Sequence, residues 1–268
     1  MSLVSNPGWD KRTPVFSVII TSYNRPHLVT DAIRSVIEQT FKDWELIVAD
    51  DDSNDMTRGA IIGASDHDPR VRVLFADEPV TDRRSKLRYC VRINEALAHV
   101  RGEFVAYTLD DDYLYPRALQ AHLAIYAAHP DAHVTLGRLR SISYDTNGPN
   151  GWDTNGIPLP GRSFPRYGDF DPAIGKVTND ANWAPGIWPS PIGGRIDHNQ
   201  VTHRRSCLDE MGGPPWWPET PVTSCGDTLF FTRLDALGHI AATVDEFVAT
   251  KRYHGRNYGK AEGSEARE

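Results

Sequence analysis

Across residues 15–128, short apolar runs alternate with helical stripes, and each strand-like run stops on polar or acidic residues. Residues 15–21 are β-branched and almost wholly apolar, the pattern of a central parallel strand. Residues 27–39 then carry Leu28, Ala32, Ile33, Val36 and Ile37 at helical spacing. Residues 44–49 read as a second strand, 57–64 as a weak helix and 71–75 as a third strand. Residues 87–100 read as a helix, 104–109 as a fourth strand and 119–128 as a further helix. This order predicts an α/β fold: a doubly wound, mainly parallel sheet with helices on both faces. Right-handed crossovers place the carboxyl ends of such strands along one rim, where open α/β sheets bind ligands. Residues 21–23, 50–53 and 110–112 are therefore expected to converge.

The run at 104–109 stops on Asp110, Asp111 and Asp112, and Pro116 suits the first turn of the helix that follows. Adjacent carboxylates repel one another, and a buried sheet edge worsens this. A hard divalent cation, which takes oxygen ligands, relieves it. The plainer reading is a solvated loop whose acid caps the next helix.

Bulk properties narrow the function. The chain has 268 residues, 40% of them hydrophobic, enough for one large α/β domain or two small ones. A net charge of −7 argues against a nucleic-acid partner. Three cysteines, Cys90, Cys207 and Cys225, lack metal-ligand spacing and suggest reduced thiols in a cytoplasmic protein. No apolar run approaches the roughly 20 residues needed to span a bilayer, and the polar residues 1–14 do not form a signal peptide. A homodimer is compatible with these features.

The second half is less regular. Residues 134–143 are strand-like. Residues 145–191 are rich in Gly, Pro, Asn, Asp and Trp and read as a long loop-rich segment, of the kind that forms binding loops or lids. Regular pattern returns at 197–205. Residues 211–217 read as a turn with exposed aromatic candidates. Gly226-Asp227 precedes a helix over 228–237, residues 241–249 form a late strand, and a basic stretch, 251–257, follows. Residues 259–268 read as a disordered tail.

Three stretches together carry a resemblance: Phe16-Ser17-Val18-Ile19-Ile20-Thr21-Ser22-Tyr23-Asn24-Arg25, Ser35-Val36-Ile37-Glu38-Gln39-Thr40-Phe41, and Trp44 through Ser53 with Asp50-Asp51-Asp52. They resemble the opening of family 2 glycosyltransferases with the GT-A fold, nearest the spore-coat polysaccharide type. Asp110-Asp111 resembles that family's metal-binding acidic motif, and Arg88-Tyr89 and Ile196-Asp197-His198 also fit. The likeness is dense over 15–128, patchy over 196–231 and absent across 145–191. It implies one domain, with a nucleotide-binding half (15–128) and an acceptor-binding half (129–258).

The resemblance implies an inverting transfer of a sugar from a pyrimidine nucleoside diphosphate, UDP or dTDP, to a hydroxyl-bearing acceptor in polysaccharide or glycoconjugate synthesis. Tyr23 can offer a flat face to the base, unless it is a core aromatic, and Thr21 can hydrogen-bond the base. Asp50 or Asp51 can accept the imide N–H of a pyrimidine, and the resemblance favours Asp50; an Asp here could equally cap the next helix. Arg88 reaches the base or diphosphate by the same analogy, whereas Arg83, Arg84 and Lys86 read as solvated charges. By the same resemblance, Asp110 should lie near the ribose and metal, and Asp111 should ligate Mg²⁺ or Mn²⁺. Asp112, where the family commonly has an uncharged polar residue, either adds a ligand or caps a helix.

The resemblance makes Asp227 the catalytic base, with Asp197 second; a plain helix cap is the alternative. His198 reads as a structural histidine, and His254 as a candidate contact to phosphate or metal. Trp183, Trp188, Trp216 and Trp217 either line the acceptor site or pack in the core. Two other classes compete. A nucleotidyltransferase would usually show a glycine-rich loop after the first strand, and Ser22-Tyr23-Asn24-Arg25-Pro26 contains no glycine. A non-catalytic nucleotide-sugar-binding protein would not need Asp111 and Asp227.

Overall fold

The computed structural model describes residues 2–5, 12–65, 68–76, 79–83, 85–143, 176–179, 186–188, 197–216, 218, 226–239 and 241–253. Its sheet is built outward from four parallel strands. They are β2 (Phe16–Ser22), β3 (Trp44–Asp50), β4 (Val71–Phe75) and β5 (Phe104–Leu109). The register pairs Ser22 with Asp50 between β2 and β3, and Thr21 with Leu109 between β2 and β5. That register brings the acidic strand ends to one line, because each strand stops within a residue of its neighbours.

These strands are buried on both faces, and the two-residue alternation splits their side chains between two cores. Val18, Ile20, Leu46 and Val48 pack against α1 (Pro26–Ile37), α2 (Asp55–Ser65) and α4 (Ala118–Ala128). Ile19, Ile47 and Tyr107 pack on the other side against α3 (Arg88–Leu97) and α5 (Gly226–Ala236). Pro26 at its amino end starts α1, and Leu28, Val29, Ala32, Ile33 and Val36 form its buried stripe. Each Leu, Ile or Val of this stripe contributes about 1.5–3 kcal/mol by leaving water.

The second half extends the sheet with mixed polarity. β10 (Val201–Arg204) runs antiparallel to both β5 and β7 (Val134–Ser143). β11 (Ala241–Tyr253) runs parallel to β7, and the short β6 (Tyr113–Leu114) closes the far edge. β1 (Ser2–Ser5) pairs antiparallel with β4 at the other edge. The order is β1-β4-β3-β2-β5-β10-β7-β11-β6.

Several expectations need adjustment. The late strand runs on to Tyr253, and α5 begins at Gly226, so Asp227 lies in its first turn and not before it. Two strands, β8 (Lys176–Asn179) on β7 and β9 (Gly186–Trp188) on β11, fall inside the segment expected to be loop. The rest of that segment, and the tail, lie outside the described residues. Among the described residues, Cys90 and Cys207 are buried free thiols, and no helix is long and apolar enough to cross a membrane.

Candidate active site

The three acidic or polar strand ends do converge, and their loops are joined to one another. Asp51 N donates to Ser22 O at 2.8 Å, and Asp110 N to Thr21 O at 3.2 Å. Tyr23 N donates to Asp110 Oδ2 at 3.0 Å. Asn24 and Asp52 hold φ of 51° and 61°, left-handed turns that short polar side chains tolerate. Asn24 N donates to Ser53 Oγ, and Asn54 N donates to Asn24 Oδ1. The rim is therefore a rigid seam of main chain that fixes where its carboxylates stand.

Asp50 and Asp51 are neighbours with opposite surroundings. Asp50 is fully buried. Its Oδ2 accepts Ser53 N at 3.0 Å and lies 3.4 Å from Arg58 Nε, while Oδ1 meets no donor among the described residues. Asp51 is surrounded by guanidinium groups: Arg83 Nη1 at 2.5 Å, Arg88 Nη2 at 2.6 Å and Arg92 Nε at 2.8 Å. Burial pushes the Asp51 carboxyl up, but hydrogen bonds from Arg88 and Arg92 outweigh it and hold the group below the usual carboxylate range. Tyr23 is 41% exposed, so it is no core aromatic, and the Arg83 guanidinium lies 3.6 Å from its ring centroid. Arg83 is thus not the solvated charge that its sequence neighbourhood suggests. Arg88, expected at the base or diphosphate, stands on Asp51. Thr21 is buried, and Arg84 lies outside the described residues.

At the end of β5, Asp110, Asp111 and Asp112 are all buried. Arg25 Nη1 bridges the first two, 2.8 Å from Asp110 Oδ1 and 2.8 Å from Asp111 Oδ2. Burial, with Asp111 alongside, still raises the Asp110 carboxyl. Asp112 neither caps a helix nor turns toward its two neighbours' cation. Its Oδ2 accepts Asn199 Nδ2 at 2.5 Å and its Oδ1 accepts Arg252 N at 2.7 Å. Burial, with Asp111 and Asp197 nearby, pushes it up to about 8. Arg252 is buried, with Nε on the Asp111 carbonyl and Nη1 3.2 Å from Asp31.

Asn199 ties this cluster to the candidate base. It sits in a short 3-10 turn (His198–Gln200) that Asp197 caps by accepting Asn199 N. His198 Nδ1 is 3.6 Å from Asp227 Oδ2 and 3.7 Å from Asp197 Oδ1, and Lys251 pairs with Asp197. Neither ring nitrogen of His198 makes a well-formed hydrogen bond among the described residues. Burial would lower its pKa, but the Asp227 and Asp197 carboxylates raise it above the ordinary value. Asp227 is positioned from below: Gly226 N donates to Tyr89 Oη at 2.7 Å, and a Cβ on Gly226 would meet Cys90 Sγ at 2.2 Å. Only glycine lets the helix start approach α3 this closely.

Two donor sets among the described residues have the chemistry to hold a divalent cation. Asp110 and Asp111 form an all-oxygen pair suited to Mg²⁺ or Mn²⁺. Asp197, His198 and Asp227 place ligand atoms within 4.8 Å of one another. Trp216 is not an exposed platform: it is fully buried, stacks on Phe230 at 4.6 Å, and its backbone is held by Asn94. Trp188 lies in β9, while Trp183, Trp217 and His254 lie outside the described residues. Sequence reasoning gave no role to Arg25, Arg92 or Asn199. A signal existed for Arg25, a lone cation in the loop that ends beside three carboxylates.

The profile of the family described as Glycosyl transferase family 2 matches residues 17–173. Protein CgeD of Bacillus subtilis is 28% identical over 223 residues, covering 82% of this chain and 46% of that protein. The UDP-Glc:alpha-D-GlcNAc-diphosphoundecaprenol beta-1,3-glucosyltransferase WfgD of Escherichia coli is 35% identical over 109 residues, covering 41% of this chain and 40% of WfgD. The chain therefore spans less than half the length of either relative. Among solved structures, S. aureus TarS 1-349 in complex with UDP-GlcNAc superposes with a TM-score of 0.60 at 18% identity, covering 89% of this chain and 58% of that one. That likeness establishes the fold, the GT-A arrangement of an α/β sheet.

Proposed function

The chain belongs to glycosyl transferase family 2, and from that premise we propose that it moves a sugar from a pyrimidine nucleoside diphosphate to a hydroxyl-bearing acceptor, with inversion at the anomeric carbon. The observation that carries this reading is the continuity of the rim. Tyr23 and Asp50 stand at one end, Asp110 and Asp111 in the middle, and Asn199 and His198 lead to Asp227 at the other. Base, diphosphate and reacting sugar of such a donor need those three chemistries in that order. UDP-sugars are named for WfgD and TarS, which supports a uridine donor, and the name of WfgD supports a role in polysaccharide or glycoconjugate synthesis.

Tyr23 would face the base, and Asp50 Oδ1 would accept the imide N–H. A divalent cation held by Asp110 and Asp111 would supply charge compensation for the leaving diphosphate. Asp227 would take the acceptor's hydroxyl proton as that oxygen bonds to the anomeric carbon and the bond to the diphosphate breaks on the opposite face.

Asp227→Asn tests this directly. The amide keeps the shape at the helix start but accepts no proton. Donor affinity should stay near the native value while transfer falls on the order of 100- to 10,000-fold, the usual range for a lost general base. The anomeric configuration of the native product, read by NMR, should be opposite to that of the donor. Near-normal transfer by the variant would move the base to Asp197, and a retained configuration would exclude single displacement.

A further inference from the structure

We propose that Arg25 is an internal cation that holds the Asp110–Asp111 pair in the donor-free protein and competes with a divalent metal for it. The inference rests on reading that pair as the metal-binding carboxylates. Three adjacent buried carboxylates need positive charge from somewhere. Asp112 is answered by an amide and a backbone N–H. Asp110 Oδ2 accepts Tyr23 N, and the positive charge beside Asp110 and Asp111 comes from Arg25 Nη1, equidistant from an oxygen of each. A divalent cation held by these two carboxylates would have to displace that guanidinium.

Arg25 is also the more exposed of the two arginines at this cluster. Its side chain is 27% exposed and follows the left-handed Asn24 in a loop, and both its hydrogen bonds among the described residues run through Nη1. The remaining guanidinium donors are therefore available to a second anion, and a diphosphate is the geometry a guanidinium fork fits best. Arg252, in contact with the same cluster, is the opposite case. It is 1% exposed, and separate atoms hold Asp31 and the Asp111 carbonyl. A diphosphate that draws Arg25 away would clear the carboxylates for the metal, so nucleotide and metal should each tighten the other's binding by the same factor.

The test is Mn²⁺ binding to the donor-free protein, followed by electron paramagnetic resonance. Arg25→Gln should bind Mn²⁺ on the order of tenfold more tightly than the native chain, as one competing charge-assisted contact is removed. Adding Asp111→Asn to that variant should abolish the gain, which separates this site from the Asp197, His198 and Asp227 cluster. Unchanged or weaker Mn²⁺ binding by Arg25→Gln overturns the proposal, as does a gain that survives Asp111→Asn. Should Arg25→Gln fail to fold, Arg25→Lys, whose shorter ammonium cannot span both oxygens as well, is read for a smaller gain of the same sign. Saturating UDP should tighten Mn²⁺ binding to the native chain. A gain on substitution without any UDP effect supports the competition and counts against the donor reading alone.

Discussion

Asp50 and Asp51 are adjacent and both buried, yet their replacement should fail in different ways. Asp51 accepts from Arg83, Arg88 and Arg92, and Arg92 is only 4% exposed. Asp51→Ala leaves these guanidinium groups crowded around an empty position. Removing one partner of a buried ion pair costs about 3–5 kcal/mol, which for a domain of this size lowers the melting midpoint by roughly 10 °C. Asp50→Asn should do little to the fold, because the amide oxygen can still accept Ser53 N where Oδ2 does now. The amide NH₂ then replaces Oδ1, the oxygen that meets no donor within the described chain, and turns a donor toward the imide N–H of uracil. A hydrogen bond to a charged acceptor contributes about 1.5–3 kcal/mol, so UDP affinity should fall roughly 10- to 100-fold while any weak GDP binding stays unchanged. Thermal melts and UDP and GDP titrations of both variants decide it. If Asp50→Asn binds UDP like the native chain, the base contact lies elsewhere. If Asp51→Ala melts within about 2 °C of native, the three-arginine junction carries no stability.

Two further outcomes are expected. Asp111→Ala should remove the effect of Mn²⁺ on UDP binding, read by calorimetry, while leaving the melting midpoint nearly unchanged, since relief of like-charge repulsion offsets the lost Arg25 contact; an unfolded variant would make the cluster structural. His122, buried against Thr135, has its pKa lowered by burial from 6.5 to about 3. It stays neutral in the fold while the unfolded chain takes up a proton below pH 6.5, so its contribution to stability is present above that pH and is lost as pH falls toward 3. Asp112, raised to about 8, opposes this trend, so the measurement is a difference: between pH 6.5 and 5, native protein should lose roughly 1–2 kcal/mol more than His122→Gln in urea melts. Parallel pH profiles would show that His122 is protonated inside the fold.

The nucleotide half was legible because its strands are buried on both faces. A run such as Val18-Ile19-Ile20 has no polar side to present and admits few other readings. The rim followed from topology alone, since right-handed crossovers and an unshifted register leave Ser22, Asp50 and Asp110 nowhere else to go. β1 carried no such signal: Ser2–Ser5 is polar at both ends and pairs only at an edge, where backbone hydrogen bonds suffice. For Trp216 the sequence left core packing and an exposed platform both open, because a Pro- and Gly-rich turn normally runs over the surface. Trp216 is held by Asn94, 122 residues before it, and stacks on Phe230 of α5, a proximity no local pattern encodes.

Which carboxylates bind and which merely hold the fold depends on how fully their oxygens are used, and sequence does not carry that information. Asp51 and Asp112 read as candidate ligands beside Asp50 and Asp111. In the fold, three arginines converge on Asp51, and Asn199 and Arg252 take one oxygen each of Asp112. Binding anything further would mean breaking contacts that no ligand replaces. Asp50 keeps an oxygen without a hydrogen bond among the described residues, and Asp110 and Asp111 share Arg25 Nη1, from a partly exposed side chain, with Tyr23 N on the other oxygen of Asp110. A metal at the pair would exchange one cation for another, and a donor group that reaches the buried Asp50 oxygen would complete its hydrogen bonding. Arg83, Arg88 and Arg92 lie 32 to 41 residues after Asp51, Arg25 lies 85 residues before Asp110, and Arg252 lies 140 residues after Asp112, so only the assembled rim separates the two kinds of aspartate.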